Sequence, residues 1–169
     1  RDAVDEGAGT RLHMDLAGAH VYPGFTEGHG HFISFGRAAE SVDLTGTESY
    51  GAVVERVRAA AAPLPEGRWL EGRGWDQNDW PEQSFPQHRE LTAAVPDRPA
   101  LLRRVDGHAA RANAAALAAA GIDRSTPDPV GGRIVRDLDG EPTGILIDSA
   151  VDLVDRIVPK PTVAALERW

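Results

Sequence analysis

The sequence predicts an α/β fold built on a parallel sheet, and three observations carry that expectation. Segments of strand length alternate with segments that repeat apolar residues at helical spacing. Glycine and proline stand at most of the junctions between them. At 169 residues the chain is one domain or a substantial piece of a larger one, long enough to bury a core. No internal repeat and no low-complexity linker divides it.

Residues 11–16 alternate polar and apolar side chains as a half-buried strand does, and Gly18 separates them from a second extended run at 20–25. These two strands read as the tail of a separate small β module, residues 1–22. After a glycine-rich corner, residues 32–40 form a short helix. Thr47 is placed to N-cap a helix over 48–61, in which Val53, Val54, Val57 and Ala61 share a face, and Pro63 and Pro65 end it. Residues 69–75 form a strand interrupted by glycine, followed by a polar loop over 76–87 and a short helix over 88–94. A compact apolar strand over 99–105 leads to an alanine-rich helix over 109–120, closed by Gly121. Residues 133–136 and 143–147 flank Asp139-Gly140, a hairpin signal that interrupts the alternation. A helix over 149–157 follows, and residues 161–169 open another with proline at its start. Only about three β/α units are present, too few to close a barrel.

Composition excludes several classes. The 26 acidic against 18 basic residues give a formal charge of −8, which speaks against a nucleic-acid partner. The longest apolar run is seven residues, Ala114 to Ala120, against the roughly 20 that span a bilayer, so no membrane partner is expected. Without cysteine there is no thiolate, and any metal must use nitrogen or oxygen ligands. The chain opens at Arg1 with no signal-peptide succession, which predicts a processing boundary there and a cytoplasmic protein.

The chemistry-bearing residues cluster after strand ends. His29 and His31, two apart and flanked by Gly28 and Gly30, would share one face of a strand end and could bind a single divalent cation, at about 2.0 to 2.1 Å for zinc. Asp106-Gly107-His108 follows a strand, so His108 either faces a substrate or is held by a capping Asp106. Trp75 to Trp80 offers two indoles and two carboxylates for a pocket wall, while Trp80-Pro81 rules out a calcium loop. Asp148 follows the strand at 143–147 and either faces the site or caps the next helix, the cap being favoured. His13, His20 and His88 have no partner at ligand spacing, and the acidic run at 137–141 reads as a hairpin turn. No nucleophile elbow or dinucleotide fingerprint is complete.

Taken in order, these blocks resemble a known family. Pro23-Gly24-Phe25 leading into His29 and His31 resembles the first-strand signature of the amidohydrolase superfamily, and the remainder is similar to its YtcJ-like, amidohydrolase-3 branch. The similar blocks are residues 69–77, Asp106-Gly107-His108-Ala109-Ala110 with Asn113, and residues 131–137 and 140–146, so the likeness covers roughly 11–169. Glu27-Gly28 stands where many relatives carry Asp and a small residue before the first histidine, while the spacing of the two histidines is kept.

The resemblance implies a metal-dependent (β/α)8 TIM-like barrel with a small β-sandwich. Residues 1–22 would end the sandwich and 23–169 would form the amino-terminal part of the barrel, truncated. It implies a divalent metal, zinc first, as one or two ions held in part by His29 and His31, with Trp75, Asp76 and His108 toward the substrate. The implied reaction is hydrolysis of a C–N bond in a small amide-like molecule by metal-activated water, with the general base beyond Trp169. The lysine, further histidines and aspartate that the family draws from later strands are not present, and Lys160 lies between two prolines. A full barrel takes about 250 residues, so the chain alone is expected to be inactive. The alternative is a non-catalytic fragment or interaction module. In either case the open sheet predicts self-association or a complementary chain segment.

Overall fold

The computed structural model describes residues 14–65, 67–85 and 87–168. The chain divides at Gly30 and His31 into two units. In the first, residues 14–30 form no strand or helix and every one is exposed. A turn at Ala17-Gly18, both at positive φ, is closed by Ala19 N donating to Leu16 O at 2.9 Å. The strands expected at 11–16 and 20–25 are therefore not formed over 14–25, and residues 11–13 lie outside the described ones. Alternation makes a strand only where a neighbour supplies ladder hydrogen bonds, and no such neighbour pairs with this segment among the described residues.

The second unit runs α1 (Phe32–Glu40), β1 (Val42–Asp43), α2 (Tyr50–Ala61), β2 (Leu70–Trp75), a 3₁₀ turn (Gln77–Asp79), α3 (Arg89–Ala94), β3 (Ala100–Arg104), β4 (Ala109–Ala112), α4 (Ala114–Ala119), β5 (Gly132–Arg136), β6 (Pro142–Asp148), α5 (Asp152–Asp155) and α6 (Val163–Arg168). The six strands form one sheet in the order β1-β2-β3-β4-β6-β5. β1, β2 and β3 are parallel, whereas the β3–β4, β4–β6 and β5–β6 pairs are antiparallel. The fold is thus mixed α/β: the antiparallel β5–β6 pair is the expected hairpin, while β4 corrects the helix expected over 109–120, which starts only at Ala114.

Strand periodicity sorts the core onto two faces. Leu70, Ala100, Leu102, Ala109 and Ile145 point to one side, where α2 and α3 contribute Val53, Val54, Val57 and Leu91. Leu101, Ala110, Ala112 and Leu146 point to the other, against Leu117 of α4 and Val151 and Val154 at α5. Alanine at β4 keeps this central strand thin between its neighbours, and all four of its residues are buried. The partner strand matches it with Gly144, at φ +92°, where a Cβ would stand 2.4 Å from Ala112 O.

The helix ends show how local chemistry sets the boundaries. Ser49 rather than Thr47 caps α2, its Oγ accepting from Ala52 N at 3.1 Å, while the Thr47 hydroxyl turns inward to donate to Leu44 O. The helix expected at 149–157 shortens to α5, because the chain first makes a turn in which Val151 N donates to Asp148 O at 2.9 Å.

His88, at the start of α3, gives the unit a pH dependence. Burial pushes its imidazole below the ordinary 6.5, with the Arg89 and Arg111 cations acting in the same direction. The folded state therefore favours the neutral ring, and this contribution to stability is full above about pH 6.5 and lost as the pH falls toward the lower folded value. Urea unfolding at about pH 8 and about pH 5.5 should show a larger acid loss in the wild type than in His88→Asn. Equal losses would mean that this imidazole does not contribute.

Candidate functional site

The topology gathers several of the chemistry-bearing residues on one rim. β2 and β3 run parallel and finish together, Trp75 pairing with Arg104, and Val105 N donates to Trp75 O at 3.0 Å. β4 returns from that rim and β6 runs antiparallel to β4, so β6 ends there as well, at Asp148. Asp76, Asp106, His108 and Asp148 thus stand at the same end of the sheet, where α/β proteins present their ligands.

His108 is held at three points. The loop from β3 to β4 turns at Gly107, at φ +78°, with Gly107 N donating to Arg104 O at 3.0 Å. Asp106 Oδ1 accepts from His108 N at 3.0 Å and from Arg104 Nε at 2.9 Å. Across the sheet edge, Asp148 N donates to His108 O at 2.8 Å, and the His108 Nδ1 lies 2.9 Å from Asp148 Oδ1. Asp148 therefore pairs with His108 instead of capping α5, whose start carries no side-chain cap. The Arg104 guanidinium holds the Asp106 carboxyl below its usual range, and the hydrogen bond to Asp106 raises Arg104 in turn, with Asp76 and Asp148 adding to it. Arg104, which no sequence motif marks, contributes a cation to this rim through its pair with Asp106.

Trp75 lies behind the rim and not on it. Its indole is fully buried, Nε1 donating to Leu102 O at 2.8 Å, with Phe85 edge-on at 6.4 Å. The cause is a bulge at Gly74, which breaks the register between Arg73 and Trp75 and returns Trp75 to the face that carries Leu70. Beside it the Arg111 guanidinium of β4, also fully buried, sits 4.3 Å from the Tyr50 ring centroid and 5.3 Å from that of Trp75. Burial pushes Arg111 below its ordinary value. Asp76 is half-buried and caps the 3₁₀ turn, Oδ1 accepting from Asn78 N at 2.9 Å and from Asn78 Nδ2 at 2.8 Å. A groove of about 540 Å³, lined in part by Val42, Leu70, Glu71 and Lys160, opens at the opposite, amino end of β2.

His29 and His31 fall on either side of the division between the units, His29 near the end of the first and His31 at the start of the second. Among the described residues no strand precedes them: His29 stands in a bend, with its N donating to Glu27 Oε1 at 2.7 Å, and His31 occupies the position before α1, its O accepting from Phe35 N at 2.9 Å. The strand end expected to align the two rings is thus not formed. Among the described residues no group of three or more His, Asp or Glu side chains is placed to hold a metal ion. Nor, among them, is any helix long and apolar enough to cross a membrane.

Comparison with known proteins gives the same blocks a lineage. The Amidohydrolase family matches residues 13–169. The chain is 42% identical over 146 residues to the putative amidohydrolase YtcJ of Bacillus subtilis (strain 168), covering 86% of this chain and 28% of that protein. It is 36% identical to an N-substituted formamide deformylase of Arthrobacter pascens, covering 83% of this chain and 26% of the relative. The crystal structure of an uncharacterized metal-dependent hydrolase from Pyrococcus horikoshii OT3 superposes with a TM-score of 0.58 at 27% identity, over 81% of this chain and 25% of that one. The chain thus spans about a quarter of the length of these relatives. With its sequence matched almost end to end and its α/β unit shared with a solved hydrolase, the chain belongs to the amidohydrolase family.

Proposed function

We propose that the chain is the amino-terminal portion of a metal-dependent hydrolase that cleaves the C–N bond of a small amide-like molecule. His29 and His31 would be ligands of a divalent metal, zinc first, and Asp76 and His108 would face the substrate. The observation that carries this reading is the family match over residues 13–169. The deformylase named among the relatives supports the bond type, and the metal-dependent structural relative supports the ion. In this reading the parent protein completes a (β/α)8 barrel with a β-sandwich, residues 1–22 ending the sandwich. The open sheet is then covered by further chain or by a second copy.

The donors fit the metal in kind but not in number. Two imidazoles fall short of the three protein ligands of a catalytic zinc, and among the described residues no other cluster makes up the difference. What the chain's own residues supply is positioning: Arg104 holds Asp106, Asp106 holds the His108 backbone, and the buried Trp75 supports the strand end that leads into Asp76.

The test is hydrolysis of a panel of N-formyl and N-acyl amines by the longer protein, before and after chelation. His29→Ala and His31→Ala should each lower kcat/KM by more than about a hundredfold, the scale on which loss of one catalytic group is felt. The 169-residue chain alone should show no appreciable turnover. Robust hydrolysis by that chain would overturn its incompleteness. A longer protein that takes up metal but hydrolyses none of the panel would leave the interaction-module reading.

A further inference from the structure

We propose that Asp148 is a positioning residue that fixes His108 in the Nδ1–H tautomer, so that Nε2 is presented at the rim as an acceptor for a substrate N–H. The substrate half of this inference rests on the proposed hydrolase function, and it narrows the substrate to amides that carry a hydrogen on nitrogen, against tertiary amides.

The argument starts from the backbone. Asp148 adopts the left-handed region at φ +49°, which among side-chain-bearing residues Asp and Asn enter most readily. That conformation ends β6 and leaves the carboxylate beside His108, with Asp148 N donating to His108 O and the two side chains 2.9 Å apart. Asp106 fixes the other end of the same residue by accepting from His108 N. The imidazole is thus anchored through its backbone by two carboxyl-bearing residues and through its ring by one, although its side chain is 72% exposed.

So exposed a pair contributes little to stability. Its consequence is chemical. A carboxylate only accepts hydrogen bonds, so the neutral ring must carry its proton on Nδ1, the tautomer that an unpartnered imidazole populates less. Nε2 then bears the lone pair, and among the described residues it makes no hydrogen bond. An acceptor of this kind suits a substrate N–H and offers nothing to a tertiary amide.

Two-bond ¹H–¹⁵N correlation spectra of the full chain, labelled on histidine and recorded above the imidazole titration range, read the tautomer directly. His108→Gln assigns the signal. The wild type should show a protonated Nδ1 and an unprotonated Nε2 at His108. Asp148→Asn, which keeps the backbone preference but can donate as well as accept, should shift the ring toward Nε2–H, and so should Asp148→Gly. An Nε2–H ring in the wild type, or one unmoved by both substitutions, would overturn the positioning role. In the longer protein Asp148→Asn should cost about tenfold in kcat/KM for secondary amides, the worth of one aligned hydrogen bond, and much less for their N-methylated analogues. Equal losses would overturn the substrate half. If the longer protein hydrolyses no amide at all, the proposed function fails and the substrate half with it, while the spectra still decide the role of Asp148.

Discussion

Asn113→Ala should lower the unfolding free energy by about 3 kcal/mol, through the loss of a cap and of buried hydrogen bonds together. Asn113 is fully buried between β4 and α4. Its Oδ1 accepts from Ala116 N, capping the helix, and from Ala100 N at the start of β3, each at 3.0 Å. Its Nδ2 donates to Val95 O at 3.0 Å and to Arg98 O at 2.8 Å. One amide thus ties the end of α3, the start of β3 and the start of α4 to the end of β4. Losing a cap alone costs about 1 kcal/mol, and each buried group left without its partner adds about 1 to 3 kcal/mol. Asn113→Asp keeps the two acceptor bonds but turns a donor pair into negative charge against two carbonyls, so it should be no milder. Denaturant unfolding of both variants checks this, and a loss below about 1 kcal/mol would show that water replaces the amide.

How far the sequence could be read follows from which forces are local. α1 forms over Phe32–Glu40, where a short helix is expected after the glycine-rich corner, and the hairpin at Asp139-Gly140 forms where a turn signal stands between two strand patterns. β4 was missed although Asp106-Gly107 carries the same turn signal, because Ala109 to Ala120 reads as one alanine-rich helix. Burial between β3 and β6 overrides alanine's helix propensity for four residues, and Asn113 then starts the helix. The two-residue β1 leaves too short a pattern to detect. At the rim, the placement of Asp76 and His108 after strands was legible, whereas Asp148 reads from sequence more readily as a helix cap. The pairing of His108 with Asp148 was not, since it spans 40 residues and depends on β4 lying beside β6. Arg104 escaped notice for the same reason: its contact with Asp106 exists only once the loop turns at Gly107.

Trp75→Ala should be as damaging as Asn113→Ala or more so, at about 3 to 5 kcal/mol, the range for truncating a buried aromatic ring. The side chain is fully buried, and its removal would take away the donor to Leu102 O, the edge contact with Phe85 and one of the two rings against the Arg111 guanidinium. That last loss compounds the cavity, since a buried cation depends on the groups that surround it. Trp75→Phe would keep a ring there and should cost less, about 1 to 2 kcal/mol for the smaller volume and the lost N–H donor. The two variants also separate the two roles open to this residue. A pocket-wall indole would lose substrate affinity on truncation while the chain stayed folded, whereas a core indole takes the strand end, and with it Asp76 and the rim, down together. Urea midpoints of both variants decide between them. A Trp75→Ala chain within about 1 kcal/mol of the wild type would return this indole to the surface role that the sequence alone suggests.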